Sequence, residues 1–207
     1  MLGQAGWIGL GVVAMYLTAF AWSTAEAARA AARPVWLFGH ARGIERLAAF
    51  GFRLAFALAL LGPLLWLAFP ALHKLDPLWT EGQYQLLGSA GVVLAAGGAM
   101  LAFAAQMSMG ASWRVGVAEG ATGALVTGGL YRFSRNPTFL GQVILLAGVS
   151  LATPAVPTLL APLLFLWSAA IQIRSEEREL EQALGADYSR YLSTVPRWIG
   201  LHSRTSS

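Results

Sequence analysis

The sequence contains no cysteine. Disulfides, thiolate metal sites and cysteine nucleophiles are therefore excluded from its chemistry. Histidine is limited to His40, His73 and His202, without ligand spacing such as HxxxH, so each reads as a loop or interface residue. Charge is scarce: Asp, Glu, Lys and Arg make up 12% of the 207 residues, and Lys74 is the one lysine among 14 basic residues. No Asp, Glu or Lys falls in the middle of a long apolar run. Pumps and ion-coupled transporters use such groups, so transport is disfavoured.

What is abundant is apolar surface, at 57% of residues. Soluble domains average about 45–50% apolar and about 25% charged. A chain this short cannot hide the excess in one core, which makes it an all-α polytopic membrane protein. Five apolar runs stand out, at about 6–25, 47–71, 84–107, 138–152 and 155–174. A spanning helix needs about 20 residues. The fourth run is short, and TPAVP joins it to the fifth as a helical hairpin. Pro63 is expected to kink the second run. A signal peptide is the competing reading of the first run, but no Lys or Arg precedes it, so it reads as a span. The chain is thus one membrane domain, 1–207: three spans over 1–107, then a polar-motif region over 108–198.

The isoelectric point near 10 does not indicate a nucleic-acid partner, because the arginines lie in loops beside apolar runs. The loop 26–46 carries Arg29, Arg33, Arg42 and Arg46, and the loop 108–137 carries Arg114, Arg132 and Arg135. Five more arginines follow from Arg174, whereas the 153–154 turn has none. The positive-inside rule puts those loops and the C-terminus in the cytoplasm and the N-terminus outside. Richness in Ala, Gly and Arg suggests a GC-rich bacterial genome, and hence the inner membrane. Gly88, Gly91, Gly97 and Gly98 in the third run suit close helix packing.

Polar residues gather in two stretches. One is "SWRVGVAEGATGALVTGGLYRFSRNPTFLGQ", 112–142, whose Asn136 and Pro137 are a strong N-cap and a favoured first-turn residue. A helix N-terminus also offers N–H groups to an anion. Arg132 and Arg135 either add to such a site or face lipid phosphates. The other is "RSEERELEQALGADYSRYLSTVPRW", 174–198, read as an amphipathic helix. Glu177, Leu180, Leu184, Tyr188 and Tyr191 share one face by their spacing. Glu177 is the acid expected to face inward, where a ligand ammonium, Arg135, or Arg174 at i−3 would balance it.

Together these stretches resemble the isoprenylcysteine carboxyl methyltransferase family, within the membrane methyltransferases that include phospholipid N-methyltransferases. The resemblance rests on "LVTGGLYRFSRNPTFLG", then the hairpin, then "EERELEQALGADYSRYLSTVPR", over about 108–198. Three positions depart from the family pattern: Asn136 stands where His is common, Phe139 where Tyr is common, and Leu184 where Phe is common. Asparagine hydrogen-bonds but does not titrate, so position 136 suits holding a cofactor and not acting as a base.

The resemblance implies S-adenosylmethionine as methyl donor, bound at the cytoplasmic side. Carried over by position, the candidate cofactor contacts are Leu125, Val126, Gly129, Tyr131, Arg135, Asn136, Pro137, Phe139, Gly141 and Glu177. Arg135, Asn136 and the helix start suit the carboxylate, Glu177 the ammonium, and Tyr131 and Phe139 the adenine or sulfonium. The candidate catalytic residues are Glu177 and Arg114. Arg114 either holds a substrate carboxylate or phosphate, or anchors the membrane surface with Trp113. The implied acceptor is lipophilic: an isoprenylcysteine carboxylate, a phospholipid amine or another small lipophilic molecule. A membrane reductase using NADPH and a non-catalytic protein retaining the fold are the alternatives.

Overall fold

In a bilayer every backbone polar group must be satisfied internally, which favours helices. The computed structural model describes residues 2–32, 35–36, 42–75, 85–113, 115 and 125–199. Among these, six α-helices carry the architecture: α1 (Leu2–Ala31), α2 (Gly43–Ala68), α3 (Gln85–Met109), α4 (Pro137–Ala152), α5 (Val156–Leu184) and α6 (Ala186–Thr194). Four of them, α1, α2, α3 and α5, are long and apolar enough to cross a membrane, and α4 is a shorter apolar helix of 16 residues. The fold is a polytopic all-α membrane protein, as its composition requires. α2 continues past Pro63 without a break in the helix.

The closest packing is between α3 and α4. Gly91 and Gly98 lie two turns apart on α3, and Gly141 and Gly148 lie two turns apart on α4. Antiparallel packing brings these pairs face to face. A Cβ on Gly98 would fall well inside 3.0 Å of the Leu145 nitrogen, and one on Gly141 equally close to the Ala102 nitrogen. Only hydrogen fits there, so the two backbones touch, as small residues permit between membrane helices. The glycines predicted to pack do so selectively. Gly88 meets Ala5 of α1, and Gly97 meets nothing within 4 Å.

The α4–α5 hairpin is closed by Thr158. Its Oγ1 donates to the carbonyls of Thr153 (2.5 Å) and Ala155 (2.7 Å) and accepts from the Ala155 N–H at 3.1 Å. An aromatic cluster of Tyr16, Phe20, Phe52, Phe56 and Phe165 fills the space among α1, α2 and α5. On α5, Ser168 donates to the Ala48 carbonyl, and Ser175 donates to Glu45 at 2.6 Å, which fastens α5 to α2.

The polar segment from 174 is not one separate helix. α5 runs on to Leu184 and ends at Gly185, whose φ of 51° lies in the left-handed region. Its ψ of −121° takes the chain out of helical geometry, a combination that glycine tolerates because it lacks a Cβ. The chain then turns into α6. Glu177, Leu180 and Leu184 therefore sit on α5, while Tyr188 and Tyr191 sit on α6.

Because the Gly98 contact is backbone to backbone, Gly98→Ala forces the helices apart. Overpacking of this kind costs about 1–3 kcal/mol. We predict a lower thermal midpoint in detergent for Gly98→Ala and for Gly141→Ala, and no change for Gly97→Ala. Equal midpoints for Gly97→Ala and Gly98→Ala would contradict this account.

Candidate active site

The C-terminal ends of α1, α3 and α5 and the N-terminal ends of α2 and α4 lie at the arginine-rich end. There a cleft of about 970 Å³, counting its open mouth, lies among α3, α4, α5, α6 and the segment 125–136. Seven of the ten residues expected to contact a cofactor line it: Leu125, Val126, Tyr131, Arg135, Asn136, Phe139 and Glu177. The other three have structural places. Gly129 starts a 3-10 turn with φ 58°, Pro137 is the first residue of α4, and Gly141 faces the α3 backbone. Arg114 lies outside the described residues.

The mouth of the cleft is organised around Glu177. Arg135 donates to its Oε1 through Nε (3.2 Å) and Nη2 (2.8 Å), and Arg197 donates to its Oε2 at 2.5 Å. Glu177 and Arg135 side chains are only 14% and 11% exposed, so this charge is held largely away from water. Glu177 stands beyond the uncharged part of α5, which ends before Arg174. Burial works against its charge, but the hydrogen bonds and charges of Arg197 and Arg135 outweigh it, so its pKa lies below the ordinary carboxylate value. Among the described residues, Arg174 is not one of its partners.

Asn136 is the N-cap of α4 by position, but its side chain does not cap the helix. Its Nδ2 donates instead to the Arg197 carbonyl at 3.0 Å, and its backbone N–H donates to the Ser134 hydroxyl. Arg135 likewise ties down the segment after α6. Its backbone N–H donates to the Pro196 carbonyl at 2.9 Å and its Nη1 to the Val195 carbonyl at 2.5 Å. Residues 195–197 thus strap across the start of α4. Pro137 has no N–H, and the N–H groups of Thr138 and Phe139 have no i−4 partner in the helix. Both of those residues line the cleft. Arg132 points away, exposed, over the Phe133 ring at 4.9 Å.

The aromatic wall is held from behind. The Tyr191 hydroxyl donates to the Tyr131 carbonyl at 2.6 Å, and the Tyr131 hydroxyl meets Thr138 Oγ1 at 3.3 Å. Burial pushes the Tyr191 phenol up to about 12 and the Tyr188 phenol further, so both remain neutral hydrogen-bond donors. Phe139 packs on Phe165 at 6.1 Å between centroids.

Several lining residues were not anticipated from the sequence. Arg197, which is not itself a lining residue, lies in the C-terminal motif, but its bond to Glu177 is visible only with the strap in place. Phe20 and Phe52 reach the cleft from α1 and α2. Gln142 and Gln172 line it deeper, and both are buried. Their signal in the sequence was present: a glutamine interrupting an apolar run wants a polar partner.

Removing one member of a buried ion pair costs about 3–5 kcal/mol, and less where water reaches the partner. Arg197 is partly exposed. We therefore predict that Glu177→Gln lowers unfolding stability by on the order of 2 kcal/mol, read from thermal or denaturant unfolding in detergent. Acid should have the same effect. A carboxyl with a depressed folded pKa contributes fully above its unfolded pKa and loses that contribution as pH falls through the folded value.

No curated protein and no solved structure matches the chain. Residues 87–187, from the start of α3 to the start of α6, match the family model described as phospholipid methyltransferase. The stretch that builds most of the cleft is thus similar to the phospholipid methyltransferase family, within the membrane methyltransferase group that the motifs resemble.

Proposed function

We propose that this protein is an S-adenosylmethionine-dependent methyltransferase of the membrane, acting on a lipophilic acceptor from the cytoplasmic side. The observation that carries the reading is the mouth of the cleft. A carboxylate, Glu177, and the first-turn residues of α4, Thr138 and Phe139, whose N–H groups have no partner within the helix, line one cavity built largely by the family-matched segment. That donor set fits an amino-acid head group, with a carboxylate at the helix start and an ammonium at Glu177.

The structure alters one expected role. Arg135 is engaged with Glu177 and with the strap, so its part is to position Glu177. The helix start, with Asn136 beside it, is left for the carboxylate. When bound, the cofactor would supply a methyl carbon on a positive sulfur, open to displacement by an acceptor lone pair with the C–S electron pair leaving on sulfur, while Glu177 and the helix start would hold its amino-acid head. Tyr131 and Phe139 offer aromatic surface to that positive charge. The buried cleft walls exclude water from the acceptor.

A route from the bilayer adjoins the cleft. An apolar groove between α1 and α2, lined by Leu17, Ala21, Ala25, Ala57 and Leu60 among others, shares Phe20 and Phe52 with it. A lipophilic acceptor can approach sideways there while the soluble cofactor enters from the polar mouth.

Binding tests the reading. Purified protein should bind S-adenosylmethionine saturably in calorimetry. Glu177→Ala and Asn136→Ala should weaken that binding by about tenfold or more, the loss of roughly one charge-assisted hydrogen bond. Saturable NADPH binding in place of S-adenosylmethionine would overturn it.

A further inference from the structure

The groove between α1 and α2 is polar at one end only. Its deeper half is lined by Leu17, Ala21, Phe56, Ala57 and Leu60. Toward the arginine-rich end it is lined by Thr24, Trp36 and Arg53. Arg53 lies ten residues past Gly43, the first residue of α2, and Thr24 seven residues before Ala31, the last of α1. At the helical rise these offsets are about 15 Å and about 10 Å, so both side chains start below the helix ends. An ionisable side chain within a span marks a binding site or a polar cavity. The Arg53 guanidinium lies over the Trp36 ring at 5.8 Å. Trp36 is held in turn by a bridge to Val115, whose N–H donates to the Val35 carbonyl at 2.7 Å.

The second donor is Thr24, whose side chain is buried at 8% exposure. Its Oγ1 accepts from Gln106 Nε2 at 3.0 Å and from Trp113 Nε1 at 3.1 Å. The Gln106 orientation is fixed, because Nε2 also donates to the Phe20 carbonyl at 3.4 Å, where an amide oxygen would meet another oxygen. Both lone pairs of the Thr24 oxygen are thus taken, and its hydrogen has no acceptor among the described residues. A buried donor without an acceptor costs free energy. Among the described residues, the groove lining contains a cation and a hydroxyl donor but no Asp or Glu. A lipid ammonium would find no counter-charge there, whereas a phosphate would find two donors.

We propose that this groove seats a membrane phospholipid of net negative charge, with its phosphate at Arg53 and Thr24 and an acyl chain along Leu17, Ala21, Ala57 and Leu60. The leaflet at the arginine-rich end supplies it. A guanidinium stacks by its face and donates from its edge, which suits a phosphate held beside Trp36. A zwitterionic head brings an ammonium that competes with Arg53 for its own phosphate, so an anionic head binds more tightly. Arg53 and Thr24 line the groove and not the cleft. The seated lipid is therefore a resident of the route and not the methyl acceptor. The inference does not depend on the methyltransferase reading.

Native mass spectrometry of the delipidated protein in a non-ionic detergent tests the proposal, with phosphatidylglycerol and phosphatidylethanolamine of identical acyl chains as the two probes. Phosphatidylglycerol should bind at least about tenfold more tightly, the worth of about one charge-assisted hydrogen bond. Arg53→Gln should bring the two lipids within about twofold of each other by removing that bond. Ala57→Phe fills the apolar half and should weaken both lipids by about fivefold or more. Wild-type affinities within about twofold of each other, or tighter binding of phosphatidylethanolamine, overturn the proposal. So does an unchanged preference in a folded Arg53→Gln variant, which would move the anion to the loop arginines. Unchanged binding of both lipids by Ala57→Phe overturns it as well, and that arm decides the matter if Arg53→Gln does not fold.

Discussion

The site depends on α4 being short and pinned. The helix has 16 residues. At the helical rise it reaches about 24 Å, against about 30 Å for the hydrocarbon core of a bilayer. The glycine contacts press α4 onto the α3 backbone, so it cannot slide to make up the difference. Its start is therefore recessed. Its hairpin partner α5 runs for 29 residues. That length reaches about 43 Å, so α5 rises past the start of α4. The step between the two helix ends, roofed by α6 and the strap at 195–197, is the cleft.

A recess of this kind makes charge expensive, and the structure answers by concentrating it. One carboxylate is shared by two guanidinium groups, and Nη1 of Arg135 donates to the carbonyls of Leu192 in α6 and Val195 in the strap. The same bonds that neutralise Glu177 also close the C-terminal segment over the start of α4. Folding of the strap and assembly of the site are thus one event. The mouth is polar and the side groove is apolar, with Phe20 and Phe52 between them. Polar and apolar approaches thus adjoin at one pair of rings.

Much of this was legible in the chain itself. Length and continuity of the apolar runs located the spanning helices and the hairpin, because a membrane leaves few alternatives to a helix. The family motif predicted that Tyr131, Arg135, Asn136, Phe139 and Glu177 share a site, and they line one cleft. The amphipathic stripe from Glu177 to Tyr191 placed its side chains on a common wall but hid the break, because a spacing of 3 and 4 continues evenly through Gly185. The cap at Asn136 misled in a similar way. Position predicted that its Oδ1 would accept from a helix N–H, but the side chain makes no cap bond and its Nδ2 donates to the Arg197 carbonyl.

The sequence by itself determined that this is a helical membrane protein, where its apolar helices lie and where its polar residues gather. Those features follow from local hydrophobicity and residue spacing, which any segment carries alone. Only the tertiary structure decided that Arg135 would hold Glu177 and not stand free, that Arg197 would join it, and that Gln142 and Gln172 would line the cleft. The bonds that settle this join groups far apart in the chain, from 20 residues for Arg197 and Glu177 to 126 for Gln142 and Tyr16. Hydrogen bonds and ion pairs act only at short range, so which donor meets which acceptor is settled by how the helices pack and not by the order of residues along them.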